Sequence, residues 1–198
     1  MNTSFLDRLV ERTAEWQTRL GQNMLYINLL GENVTLSDYK KYLCSLYGFV
    51  SGFETYIYPE LDQLILNLEE RKKTKYITND LSHLGQKVTE IEPMPESYFK
   101  SMYADPYAAL GALYVLESST LGGRLIQEHL HSKLKGGVVS KLNYFDARGE
   151  KAEPMWNSFR KIFCTIAEAS DKQENIIDGA LRTLRLLDQL MTDESLKK

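Results

Sequence analysis

Between Tyr39 and Phe53 the apolar residues return every three or four positions: Tyr39, Tyr42, Leu43, Leu46, Tyr47, Val50 and Phe53. A half-buried strand would place them at every second position, so this stripe belongs to a helix with one broad buried face. The preceding Thr35-Leu36-Ser37-Asp38 reads as its start. The same spacing runs through the rest of the chain. Leu6, Leu9, Val10, Thr13, Gln17 and Leu20 share one face of a first helix, which Gly21 can end. Pro59 suits the first turn of a further helix with Leu61, Leu64, Ile65 and Leu68 on its inner side. Lys72 and Lys73 read as a solvated linker. Residues 74–85 read as helix ending near Gly85, and Pro93 and Pro95 make 90–96 a loop. Asp105-Pro106 pairs an N-cap with a proline at the first helical position, opening a long helix to about Lys135 that Gly136-Gly137 stops. Residues 138–150 read as loop, Pro154 opens a helix through Ala169, and Ser170 or Asp171 caps a last one to about Met191. No segment reads as a strand or a repeat. The expectation is a single all-α domain over residues 1–198, built from seven to nine helices.

A chain of 198 residues with 43% hydrophobic and 26% charged side chains can bury a core without a staple. Its net charge of −3 sets aside phosphate-dominated nucleic-acid binding. No uncharged stretch is long enough to span a membrane, and Met1–Val10, with Asp7 and Arg8, lacks the apolar run of a secretory signal. Cys44 and Cys164 lie in apolar helical patterns without a CxxC or a Cys/His metal spacing, so the expectation is two buried thiols in a cytoplasmic protein and no protein-held metal.

The segment Leu116-Glu117-Ser118-Ser119-Thr120-Leu121-Gly122-Gly123-Arg124 stands out inside the long helix. Each interior glycine costs about 1 kcal/mol against alanine. The three hydroxyls can bond back to carbonyls one turn earlier and bend the helix. The expected kink has two readings: close packing against a neighbouring element, or close approach of a flat ligand to bare backbone. His83, His129 and His131 read as surface or partly buried residues rather than ligands. The aromatic set Tyr39, Tyr42, Tyr47, Phe49, Phe53, Tyr107 and Tyr114 reads either as core or as the lining of a flat pocket.

The run Leu110-Gly111-Ala112-Leu113-Tyr114-Val115-Leu116-Glu117-Ser118-Ser119-Thr120-Leu121-Gly122-Gly123 resembles the distal-helix motif of heme oxygenases, most closely the bacterial biliverdin-producing type that accompanies bacteriophytochromes. Leu9-x-x-x-Thr13, Tyr39-x-x-Tyr42-Leu43-x-x-Leu46-Tyr47, Asp80-Leu81-x-x-Leu84-Gly85 and Trp156-x-x-Phe159 follow in family order, so the resemblance spans nearly the whole chain. It implies heme, or another flat tetrapyrrole, between the first helix and the kinked distal helix. It also implies O2-dependent cleavage to biliverdin, CO and iron, with electrons from an external donor. Ser118, Ser119, Gly122 and Gly123 would form the distal, catalytic side. Thr13, Tyr114 and Leu121 would touch the ligand, and Arg12, Arg160 and Lys161 would meet its propionates.

Three positions depart from the family pattern. The iron-binding histidine falls four residues after the first-helix threonine, and here that residue is Gln17. Ser118 stands where glycine usually lies against heme, and Leu184 where the last helix often carries phenylalanine. An amide is a poor iron ligand, because its oxygen is weakly basic and its nitrogen donates rather than accepts. Two functions therefore follow: an attenuated heme oxygenase, or a non-catalytic tetrapyrrole-binding or protein-interaction module on the same fold.

Overall fold

A computed structural model describes residues 4–193, and the expectations for Met1–Thr3 and for the last five residues lie outside that range. Among the described residues there are eleven α-helices and three short 3-10 turns. The helix α1 spans Phe5–Gly21, and Ser4 caps it by accepting from the Asp7 amide. The short α2 (Met24–Leu30) follows, and then α3 (Leu36–Tyr56), opened by a capping box between Thr35 and Asp38. The helix expected after Pro59 is two single turns, α4 (Tyr58–Leu61) and α5 (Leu68–Arg71), separated by a turn that ends with Asn67 in a left-handed backbone at φ 62°. Then come α6 (Thr74–His83), α7 (Glu96–Met102), α8 (Pro106–Ser118), α9 (Gly123–Lys133), α10 (Ala152–Ala169) and α11 (Gln173–Thr192).

The long helix expected from Asp105 to Lys135 is broken rather than merely bent, and it stops at Lys133. The cause lies in its hydroxyls. Ser118, Ser119 and Thr120 donate to the carbonyls of Val115, Leu116 and Glu117 at 3.1, 2.8 and 2.6 Å. The Thr120 amide, which an unbroken helix would aim at Leu116, turns to Glu117 at 3.2 Å. Residues 119–122 thus wind as a tight turn between α8 and α9.

The core forms where α8 crosses α11. A Cβ on Gly111 would lie 2.0 Å from the Ile176 carbonyl oxygen, and one on Gly179 would lie 2.0 Å from that of Ala108. The two backbones touch, so no side chain fits at either glycine. Tyr39, Phe49 and Phe53 are fully buried in this core. A polar anchor fixes the segment after α9. The buried Asp80 carboxylate accepts from Tyr39 Oη at 2.6 Å, from the Asn143 amide at 3.0 Å and from the Tyr144 amide at 2.9 Å. The loop expected at 138–150 is there, interrupted by the 3-10 turn Val139–Lys141. A further 3-10 turn, Gly149–Lys151, leads into α10.

Candidate functional site

Where α8 breaks, a cleft of about 890 Å³ opens, within the usual range for ligand cavities. The end of α1 contributes Gln17, Leu20 and Gly21, while α3 contributes Tyr42, Leu46 and Val50. Tyr114 and Trp156 stand against each other at 5.8 Å in the lining. The segment from Tyr144 to Glu150 forms another wall, and Leu184, Leu187 and Met191 of α11 complete the apolar part.

Of the residues singled out in the sequence, Gln17, Tyr114, Ser118, Ser119, Leu121, Gly123 and Leu184 line this one cleft. Thr13 does not line it, but its buried hydroxyl donates to the Leu9 carbonyl at 2.8 Å and accepts from Gln17 Nε2 at 2.9 Å. That contact ties down the donor side of the Gln17 carboxamide and leaves Oε1 as its remaining acceptor. Gly122 faces open space. Gly123 combines both readings of the glycine pair, since it lines the cleft while a Cβ on it would lie 2.2 Å from the Phe145 carbonyl oxygen.

Arg12, Arg160 and Lys161 lie away from the cleft. Arg12 reaches Glu174 at 3.3 Å on the surface, and Arg160 and Lys161 border a separate shallow groove beside Cys164. Two further expectations need correction. Cys164 is only half-buried, whereas Cys44 is buried. Lys73 is not solvated: it is 8% exposed and turns into the cleft.

Lys73 belongs to a charged cluster beneath the break. Glu117, at 0% exposure, receives Arg148 through two bonds of 2.8 and 2.6 Å and also pairs with Arg71. The second Arg148 nitrogen also bonds the Arg71 carbonyl at 3.1 Å. Burial alone would push the Glu117 carboxyl up, but the Arg148 hydrogen bonds and the surrounding cations outweigh it and hold it below the usual range. Glu54 accepts from the backbone amides of Lys73 and Thr74, yet burial raises its carboxyl. Lys73 Nζ donates to the Leu116 carbonyl freed by the break and to Ser119 Oγ at 3.2 Å. Burial pushes its ammonium down to about 8.

Sequence reasoning missed Arg71, Arg148 and Lys73. The available signal was Glu117 itself, the acid that directly follows an apolar run from Ala108 to Leu116 buried all round. A carboxylate in such a position requires cations.

An all-helical fold with a cleft at a broken Ser/Gly helix defines a class that comparison with known proteins identifies. The heme oxygenase family model matches residues 3–193, and the chain belongs to the heme oxygenase family. A protein named heme oxygenase from Xanthomonas campestris pv. campestris (strain 8004) is 28% identical over 149 residues, covering 75% of this chain and 85% of that protein. The fold is shared with the heme oxygenase of Leptospira interrogans at TM-score 0.78 and 14% identity, covering 96% of this chain and 99% of that one. It is shared too with the NO- and CO-bound heme oxygenase of Neisseria meningitidis at TM-score 0.70 and 18% identity, covering 95% and 90%.

Proposed function

We propose that the cleft binds heme as substrate and that the chain converts it to biliverdin, CO and iron, more slowly than a relative with a histidine at position 17. The observation that carries this reading is that one cleft gathers Gln17 of α1 together with Ser118, Ser119 and Gly123 of the α8–α9 turn. Apolar and aromatic walls suit the macrocycle, and Lys72 and Arg124 in the lining offer cations for its carboxylates. The iron is served less well. Gln17 presents a neutral amide oxygen in place of an imidazole nitrogen, and such a ligand positions and tunes iron weakly.

Heme supplies the O2 chemistry once an external donor has reduced it. The protein's part is to orient the ring against Tyr114 and Trp156, to restrict water, and to hold hydroxyls and one ammonium at the break. The two thiols fit a cytoplasmic setting. Among the described residues no helix is long and apolar enough to cross a membrane.

A second reading, a tetrapyrrole-binding module without turnover, is favoured by the same Gln17. Hemin titration followed at the Soret band, then addition of a reductant under air, separates the two. Saturable binding followed by biliverdin absorbance supports the enzyme. Saturable binding without it supports the module. Absence of binding overturns both. Gln17→His should raise hemin affinity by about tenfold and give an axial-nitrogen spectrum. An unchanged spectrum would show that position 17 does not face the iron.

A further inference from the structure

The cluster beneath the break sets three cations, Arg71, Lys73 and Arg148, against two carboxylates, Glu54 and Glu117. Arg71 and Arg148 share Glu117. Among the described residues, Lys73 has no side-chain carboxylate partner, and its Nζ meets only the Leu116 carbonyl and Ser119 Oγ. An ammonium carries three donors, so one is left over. A buried unpaired charge is costly, and it either loses its proton or finds a counter-ion. Lys73 and Ser119 both line the cleft, so a counter-ion can reach them.

We propose that the break between α8 and α9 is a binding site for a small monoanion, held by the Lys73 ammonium with Ser119 Oγ beside it. The Glu54 carboxylate bonds two backbone amides, and Glu117 bonds two guanidiniums. Neither bonds Lys73 directly, and three cations outnumber two carboxylates, so an anion of the size of formate balances the cluster from the cleft side.

The pH dependence follows from linkage. The charged groups acting on Lys73 are Glu117 from α8, Arg148 from the loop and Glu54 from α3, and burial outweighs the two carboxylates. The free site has an ammonium pushed down to about 8. A bound anion favours the protonated form, so affinity holds below that value and falls as pH rises above it, with a proton taken up on binding.

The test uses the heme-free protein and formate, followed by isothermal titration in two buffers of different ionisation heat. Wild type should bind saturably at pH 7. Between pH 8 and 9 its affinity should fall by several-fold, approaching the tenfold-per-unit limit. Lys73→Met should bind at least about tenfold more weakly. Lys73→Arg should bind as wild type does at pH 7 and stay flat through pH 9. Absence of saturable binding to wild type at pH 7, Lys73→Met binding within twofold of it, or a shared pH profile for wild type and Lys73→Arg would each overturn the proposal. If Lys73→Met does not fold, the wild-type and arginine profiles decide alone. No heme enters this experiment, so its result stands apart from the reading of the cleft as a heme site.

Discussion

The end of α1 and the break between α8 and α9 face the same cleft, yet they are built in opposite ways. Gln17 is an exposed side chain, restrained by a single bond to Thr13. The break rests on a buried carboxylate that two arginines grip and on a lysine that takes up the freed carbonyl. Changing residue 17 therefore changes the chemistry offered to a ligand and little else. Changing Glu117 alters the scaffold itself. Residue 17 lies on the wall that is easy to alter, where its side chain bonds only Thr13.

The sharpest way to break this contrast is Glu117→Ala. It leaves Arg71 and Arg148 facing each other unpaired and should cost about 3–5 kcal/mol in urea unfolding. A loss below about 1 kcal/mol would mean that the wall is not held by charge. Gly123→Ala comes next, because its Cβ would meet the Phe145 carbonyl at 2.2 Å. A loss of about 1–3 kcal/mol is expected from such overpacking. Gly122→Ala meets open space at an ordinary φ of −86° and should instead stabilise by about 0.4–1 kcal/mol. Opposite signs at adjacent glycines, read from thermal midpoints, would confirm that only the second is needed for contact. The smallest effect belongs to Gln17→His, expected to shift stability by no more than about 0.5 kcal/mol however much it alters the hemin spectrum.

Acid offers another probe of the gripped wall. The Glu117 carboxyl lies below its usual range, so its contribution is complete above the unfolded carboxylate value and is lost as pH falls through the folded one. Glu54 is shifted upward by burial and acts in the opposite sense, since protonating it favours the folded state. Comparing urea midpoints at neutral and acid pH should show wild type losing more on acidification than Glu117→Gln. Equal losses would place the acid sensitivity elsewhere.

The helices were legible because their causes are local. Tyr39 to Phe53 showed its period, Thr35 and Asp105 their caps, and Ser118 to Thr120 their tendency to bond backwards. Cleft residues were legible to the extent that a family motif marks them. The cations beneath the break were not, because each is paired across a long stretch of chain. Arg71 lies 46 residues from Glu117, and Arg148 lies 31 away. By charge alone Lys72 and Lys73 are indistinguishable, although one is exposed enough to pair with Glu69 and the other is buried. The helix after Pro59 failed for a different reason. Its apolar spacing was sound, since Leu61, Ile65 and Leu68 are buried, but the backbone leaves the helix between them and Asn67 turns left-handed just before α5.

Asp80 holds the cleft wall by the main-chain amides of Asn143 and Tyr144, not by their side chains. The wall is therefore addressed through groups that every residue except proline possesses. The side chains of Asn143 and Tyr144 can be exchanged without losing this anchor, whereas Arg148 further along holds Glu117 by its own side chain. The cleft can thus be retuned at Tyr144 while a single aspartate, far away in sequence, keeps that stretch of main chain in place.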